Sequence, residues 1–287
     1  MVDIVAARHF SRKSASCYDE AAFVLRDMAD QMIDRLQWMT IKPNDMLNIG
    51  ARTGYLTEKL LRYFPGAQCT ALDISEQMLA RDASDKRSRP VVWDDIDELP
   101  FSSGSFDLVC ANACDRWTQD LSHFFMCVSR VLKPNGLFLF SCFGPDTLRE
   151  LRQACGDVGL LHCMSEYEDM HHVGDRLTEQ RWEDVVMDNE LIDVQYKQVD
   201  RLFLDLRQSA CQNISLDRPK GLLTPRKWAQ LKNAYPYEQE RGAYFATVEL
   251  VQGQAWKSVN QPNYAGNEGE VSVPIESIRV KGRKDEQ

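Results

Sequence analysis

Met46-Leu-Asn-Ile-Gly-Ala-Arg-Thr-Gly54 reads as an apolar strand that runs into a tight turn between two glycines. Tyr55-Leu-Thr-Glu-Lys-Leu-Leu-Arg62 leaves the turn with its leucines at helical spacing. Strand, glycine turn and helix in that order form the first half of a nucleotide-binding βαβ unit. Gly50 lets the chain turn sharply, and Gly54 lets the helix N-terminus approach a ligand. A second apolar strand, Cys69-Thr-Ala-Leu72, ends in Asp73, where a carboxylate can hold the ribose hydroxyls of an adenosine. One position breaks the pattern. Such loops carry a middle glycine, and here Arg52 brings a long charged side chain to a place where backbone and ligand would nearly touch.

Outward from the loop, strands and helices alternate. The stretch 18–39 carries Ala22, Leu25, Met28, Met32, Leu36 and Met39 as a helical stripe, and the polar stretch 10–18 ahead of it is either a loose terminus or a flap over the ligand. Ser75 caps a second helix. Pro90-Val-Val-Trp93, Phe106-Asp-Leu-Val-Cys-Ala111 and Leu137-Phe-Leu-Phe-Ser-Cys-Phe143 are the third, fourth and fifth strands, with a helix over 121–132 stopped by Lys133-Pro-Asn-Gly136. Beyond Gly144, helices are expected over 146–154, 170–182 (broken at Gly174), 204–211 and 225–234. Strands are expected over 194–204 and 243–253, and a Gly/Asn-rich loop over 260–269. This alternation predicts an α/β domain with a mostly parallel sheet and helices on both faces. The expected organisation is an N-terminal flap and helix over 1–45 and the main domain over 46–280. A small helical lid is inserted at about 205–235, and the tail 281–287 is frayed.

The 287 residues are 44% apolar and 27% charged, ordinary for a globular chain. No apolar run is long enough to span a bilayer, and the N-terminus carries Asp3, Arg8 and His9, so a secretory signal is not expected. Nine cysteines without CxxC spacing argue against a disulfide framework and against zinc, so no metal is expected and a cytoplasmic setting is. The net charge of −9 argues against nucleic-acid binding. Acidic residues crowd 165–193, whereas 197–241 is rich in Arg and Lys, including Arg218, Lys220 and Arg226. These are either two solvated faces or a local patch that steers an acidic partner. His171 and His172 are adjacent and point apart on a helix, so they are read as structural.

The ordered set Gly50 to Gly54, Asp73, Asp95-Ile-Asp-Glu-Leu-Pro-Phe101, Phe106-Asp-Leu-Val109 and Arg130-Val-Leu-Lys-Pro-Asn-Gly136 resembles the class I S-adenosylmethionine methyltransferases, with their Rossmann-like fold. Phe143-Gly-Pro-Asp-Thr-Leu-Arg-Glu-Leu-Arg152, Asp169-Met-His-His-Val-Gly-Asp175 and Val248-Glu-Leu-Val-Gln-Gly-Gln-Ala-Trp256 extend the likeness over nearly the whole chain. They are similar to the biotin-pathway methyltransferases that esterify malonyl-acyl-carrier protein, as is the opening Phe10 to Asp19.

The resemblance implies S-adenosylmethionine as cofactor, and a malonyl thioester on acyl-carrier protein or coenzyme A as substrate. Together with the alternation of elements, it implies seven strands, with 243–253 antiparallel beside the fifth. A monomer is expected, and charge and hydropathy leave neither membrane nor nucleic acid as an expected partner. By position it implies that Asp73, followed by Ile74, holds the ribose, and that Asp95 and Ile96 contact the adenine. Gly50 and Gly54 would border the methionine end, Asn48 would accept from its ammonium, and Tyr18 would close the pocket. The family has an acidic residue where Asn48 stands and Cys-Gly or similar at Ala51-Arg52.

A malonyl carboxylate is ionised at neutral pH and needs no base, only orientation and removal of water. The planar forks of Arg149 and Arg152, just past the fifth strand, suit a substrate carboxylate. Arg52 and Asn48 leave a second reading open, a non-catalytic paralogue that binds a protein partner. A nicotinamide dehydrogenase also opens with a glycine loop but explains neither Leu99-Pro-Phe101 nor the late strand.

Overall fold

The computed structural model describes every residue except 82–84, 94, 96, 220 and 260–287, so the expected loop at 260–269 and tail at 281–287 lie outside the described residues. Eight strands form one sheet: β1 (Asp45–Ile49), β2 (Gln68–Asp73), β3 (Ser88–Val92), β4 (Phe106–Asn112), β5 (Leu132–Phe143), β6 (Glu183–Tyr196), the short β7 (Tyr237–Glu238) and β8 (Ala243–Trp256). Their order is β3-β2-β1-β4-β5-β8-β6, with β7 paired to β8. The first five run parallel, and β8 lies antiparallel between β5 and β6.

Strand parity builds two cores. Leu108 and Cys110 of β4 and Leu137 and Leu139 of β5 point to one face. There they meet Met32 of α3 (Phe23–Arg35) and Leu56, Leu60 and Leu61 of α4 (Tyr55–Tyr63). Val109, Phe138 and Phe140 point to the other, against Phe124, Phe125 and Val128 of α6 (Leu121–Val131) and Leu177 of α8 (Met170–Glu179). The parallel strands therefore end, at their carboxyl edges, in one shared crevice, which is where open α/β sheets place ligands.

Several local expectations differ from the structure. The stripe over 18–39 is two helices, α2 (Tyr18–Ala21) and α3, and the polar stretch before them belongs largely to α1 (Ile4–Ser14), capped by the Asp3 carboxylate on the Ala6 amide. The strand expected at 194–204 is instead β6, ending at Tyr196, followed by α9 (Val199–Gln208). Its acidic residues hid it: β6 is an edge strand whose exposed Asp184, Asp188, Glu190 and Asp193 discourage further pairing. Helix α8 is not broken at Gly174, where a side chain would crowd Met187 Cγ at 3.3 Å. The expected turn at Lys133-Pro-Asn-Gly136 lies inside β5, as an irregularity that Asn135 absorbs with φ of 57°.

Between β6 and β8, α9 and α10 (Pro225–Ala234) pack on α7 (Arg149–Asp157) through Leu151, Leu202, Leu231 and Tyr235. Among the described residues no helix is long and apolar enough to cross a membrane.

Gly253 is the tightest point of the added strand. A Cβ there would overlap the ring of buried Phe140 and press on Met187. Gly253→Ala should cost about 1–3 kcal/mol of stability by overpacking, read as a lower urea midpoint. An unchanged midpoint would contradict this packing of β5, β8 and β6.

Candidate functional site

The glycine loop is fixed by backbone bonds to the end of β2. Gly50 and Ala51 donate their amides to Leu72 O at 2.8 and 3.0 Å. The Arg52 amide donates to Asp73 Oδ2 at 2.9 Å, and the Ser75 amide to Asp73 Oδ1 at 2.9 Å. Gly50 (φ 72°) and Gly54 (φ 89°) take the left-handed conformation that glycine tolerates, and Gly54 caps α4. Arg52 is left-handed too, at φ 52°, a strained setting for a residue with a side chain. Asp73 is fully buried, and that burial pushes its carboxyl up against the lowering effect of Arg52 and the amide donors.

The Arg52 side chain turns into the crevice. Its guanidinium donates through Nη2 to Ala113 O at 3.2 Å and lies over Trp117 (4.7 Å to the ring centre) and Tyr18 (6.0 Å). Only 6% of the residue is exposed, and Nε has no partner among the described residues. The space left beside Tyr18, Gly50, Arg52 and Asn112 is about 20 Å³. Ligand pockets occupy several hundred.

Helices α2 and α3 roof this space. Asp19 accepts from Thr53 Oγ1 at 2.7 Å and pairs with Arg26 at 2.9 Å and with Arg81 at 3.3 Å, while Asn112 Nδ2 donates to Leu25 O at 2.8 Å. Asn48 is buried, donating to Thr57 Oγ1 at 3.0 Å, with Oδ1 unpartnered among the described residues.

The expected site residues divide. Tyr18, Asn48, Gly50, Gly54 and Asp73 gather at the loop. Ile74 is buried in the core, and Asp95 is exposed on the turn after β3, accepting from the Asp97 amide at 3.0 Å. Ile96 lies outside the described residues. Arg149 is exposed and pairs with Glu150 at 3.3 Å, whereas half-buried Arg152 donates to Ser165 O at 3.3 Å. His171 and His172 are exposed on α8. Asp73 and the loop thus lie where the resemblance implies the adenosine end of a donor, and the Arg52 side chain occupies the place it implies for the methionine end.

Next to the loop, beyond β4 and β5, lies a cavity of about 600 Å³ lined by Asp115, Arg116, Cys142, Phe143, Met164 and Tyr167. Exposed Glu166, Glu168 and Asp217 stand at its rim, and Arg176 pairs with Glu168 at 2.9 Å. A second, apolar cavity of about 240 Å³ shares the wall formed by Met164, Ser165 and Tyr167. Tyr167 escaped the sequence reading because it stands alone in an acidic stretch without a helical or strand period. Burial raises its phenol pKa, so it stays a neutral donor, and Arg116 and Arg152 are near enough to pull the other way.

Asp115 Oδ1 is buried without a partner among the described residues, and burial pushes the carboxyl up to about 7 against the pull of Arg116. With the folded pKa above the unfolded one, its contribution to stability is present below pH ~4 and is lost as pH rises through about 7. Wild type should therefore lose stability relative to Asp115→Asn between about pH 5 and about pH 8, measured by urea unfolding. Parallel pH profiles would contradict this placement of the carboxyl.

Residues 47–140 match the family model described as a methyltransferase domain. Among solved structures, the YcgJ protein of Bacillus subtilis superposes with a TM-score of 0.58 at 15% identity, covering 81% of this chain and 98% of that one. The phosphoethanolamine N-methyltransferase 2 of Haemonchus contortus superposes with a TM-score of 0.51 at 18% identity, over 80% of this chain and 53% of that one. At such identities these likenesses establish the fold alone. The sequence relatives reach further. The malonyl-(acyl-carrier protein) O-methyltransferase of Halorhodospira halophila is 36% identical over 98% of this chain and 97% of its own length. Malonyl-(acyl-carrier protein) O-methyltransferase 1 of Coxiella burnetii is 38% identical over 96% of each. Glycine loop, sheet order and late antiparallel strand all fall within those spans, and the chain belongs to the malonyl-(acyl-carrier protein) O-methyltransferase family.

Proposed function

We propose that this protein methylates the free carboxylate of a malonyl group held as a thioester on an acyl-carrier protein, an early step of biotin synthesis. S-adenosylmethionine supplies the methyl group. The observation that carries this reading is the 36–38% identity to relatives of that name over 96–98% of the chain, well beyond the matched methyltransferase domain.

The chain's own residues have a limited task, because the malonate carboxylate is already ionised at neutral pH and must only be oriented and dried. The cavity of about 600 Å³ beside the loop is large enough for the acyl end of the substrate. Tyr167 offers a neutral hydroxyl on its wall. Arg116 donates to Gln212 O at 2.6 Å and to Ala210 O at 3.4 Å, and with Arg152 supplies positive potential there. Of the two arginines after β5, Arg152 faces this region and is the one assigned to the substrate; Arg149 stands on the surface.

The smaller apolar cavity opens beside Arg207, Leu223 and Trp228. Exposed Arg207 and Arg226 have no ion-pair partner among the described residues, and Leu222 is fully exposed nearby in sequence. Of the other cations in the basic stretch, exposed Lys197 follows β6 and does not line this cavity, and several more are spent internally. Arg201 pairs with Asp205, Arg218 with Asp3, Lys232 with Asp200 and Arg241 with Asp193, and Lys227 donates to Val158 O. Lys220 lies outside the described residues. The carrier-docking role therefore narrows to Arg207 and Arg226, with the exposed leucines, at the mouth of a passage that reaches Tyr167. The arginine in the glycine loop favours one second reading, a non-catalytic family member that binds a partner protein.

Intact-mass spectrometry on malonyl-carrier protein incubated with this protein and S-adenosylmethionine separates the two. One added methylene per carrier, lost on ester hydrolysis, is expected. No product at saturating donor would overturn catalysis and favour the second reading. In the same assay, Arg207→Glu with Arg226→Glu should raise KM for the carrier about fivefold, or ~1 kcal/mol, at low salt and leave kcat unchanged.

A further inference from the structure

We infer that the Arg52 guanidinium is a built-in occupant of the methionine end of the donor pocket, and that the methyl donor binds only when this side chain withdraws. The inference rests on the donor assigned above. It makes Arg52 the residue that sets donor affinity.

Three observations lead there. The first is the backbone. With its amide committed to Asp73 at 2.9 Å and φ at 52°, Arg52 cannot shift its Cα without releasing the loop from β2. Only side-chain rotation can move the charge.

The second is the box that receives it. Ala113 O and the faces of Trp117 and Tyr18 form a receptor for a cation. Burial works against the guanidinium charge, but the Asp73 carboxylate and the electron-rich faces of Tyr18 and Trp117 favour it, and a guanidinium stays protonated. The fit is nevertheless poor. A guanidinium has five N–H donors. Here the described residues supply a single acceptor, and buried Nε goes without one. Leaving such groups unmet is costly, so this conformation is held in place by the absence of a better occupant and not by satisfied bonding. The ammonium and sulfonium of the donor are themselves cations and suit the same carbonyl and rings.

The third is volume. About 20 Å³ remains beside Gly50 and Arg52, against the several hundred a nucleoside–amino-acid ligand needs. The neighbouring cavity of about 600 Å³ is open, so the closure is confined to the donor side.

The opposite role has an opposite outcome: an arginine that grips the donor's carboxylate would make Arg52→Gly bind more weakly. Calorimetric titration with S-adenosylhomocysteine, which keeps the amino-acid end but has a neutral sulfur, decides between them on wild type, Arg52→Gly and Arg52→Ala. The occupant account expects at least about tenfold tighter binding by Arg52→Gly, with Arg52→Ala also tighter than wild type. The thermal melt of unliganded Arg52→Gly should match or exceed wild type, since glycine removes the left-handed strain. Wild-type affinity equal to or above that of both variants, with all three folded, would overturn the occupant and leave the donor assignment standing. Absence of binding by all three folded proteins would overturn the donor site itself, and the occupant with it.

Discussion

The carboxylate of Asp73 is the joint on which the site hangs. One oxygen accepts the Arg52 amide and the other the Ser75 amide, both at 2.9 Å, so a single buried side chain ties the turn after β1 to the turn after β2. Charge-assisted bonds of this kind are stronger than neutral ones, and they offset part of the cost of burying the charge. Each carboxylate oxygen keeps further acceptor capacity, so the same group can hold the loop and still receive a ribose hydroxyl. The bond that shapes the loop also sets the direction of Arg52. Its amide is drawn toward β2, its φ goes left-handed, and the side chain projects between Tyr18 and Trp117.

The remaining architecture separates two compartments around that joint. The donor side is roofed by α2 and α3, which Asp19 ties to Thr53, Arg26 and Arg81, and which Asn112 ties to β4 through Leu25 O. The proposed acceptor side is built from the ends of β4 and β5 and the segment carrying Tyr167, with α9 and α10 framing a passage to the surface. Methyl transfer to an ionised carboxylate requires two oppositely charged reactants to meet without water. Trp117 stands at the boundary, with one face against the guanidinium and its edge close to Gly50.

Much of this was legible in the sequence. The glycine turn, Asp73 and the alternation of apolar runs with helical stripes are local signals, and the parallel sheet follows from them. Strand β8 was readable because it is a long apolar run bounded by turns. Strand β6 was not. It lies at an edge, and its outward positions are acidic, so a period that rests on burial was masked by charge. Among the site residues, Arg52 stood out as a misfit in its motif. Arg116 and Tyr167 gave no such signal, because their placement depends on how the segment after β5 and the loop after α9 fold back over the sheet. The basic stretch over 197–241 illustrates another limit. Composition counted its charges, but only contacts revealed that Arg201, Arg218, Lys232 and Arg241 are neutralised within the fold.

The most direct measurement is a crystal structure of the wild-type protein with S-adenosylhomocysteine. The account predicts the Asp73 bonds to Arg52 N and Ser75 N unchanged, the ligand's amino-acid end against Ala113 O and Trp117, and the Arg52 guanidinium rotated out of that box. A ligand bound along the glycine loop with the guanidinium still stacked on Trp117 and bonded to Ala113 O would contradict it.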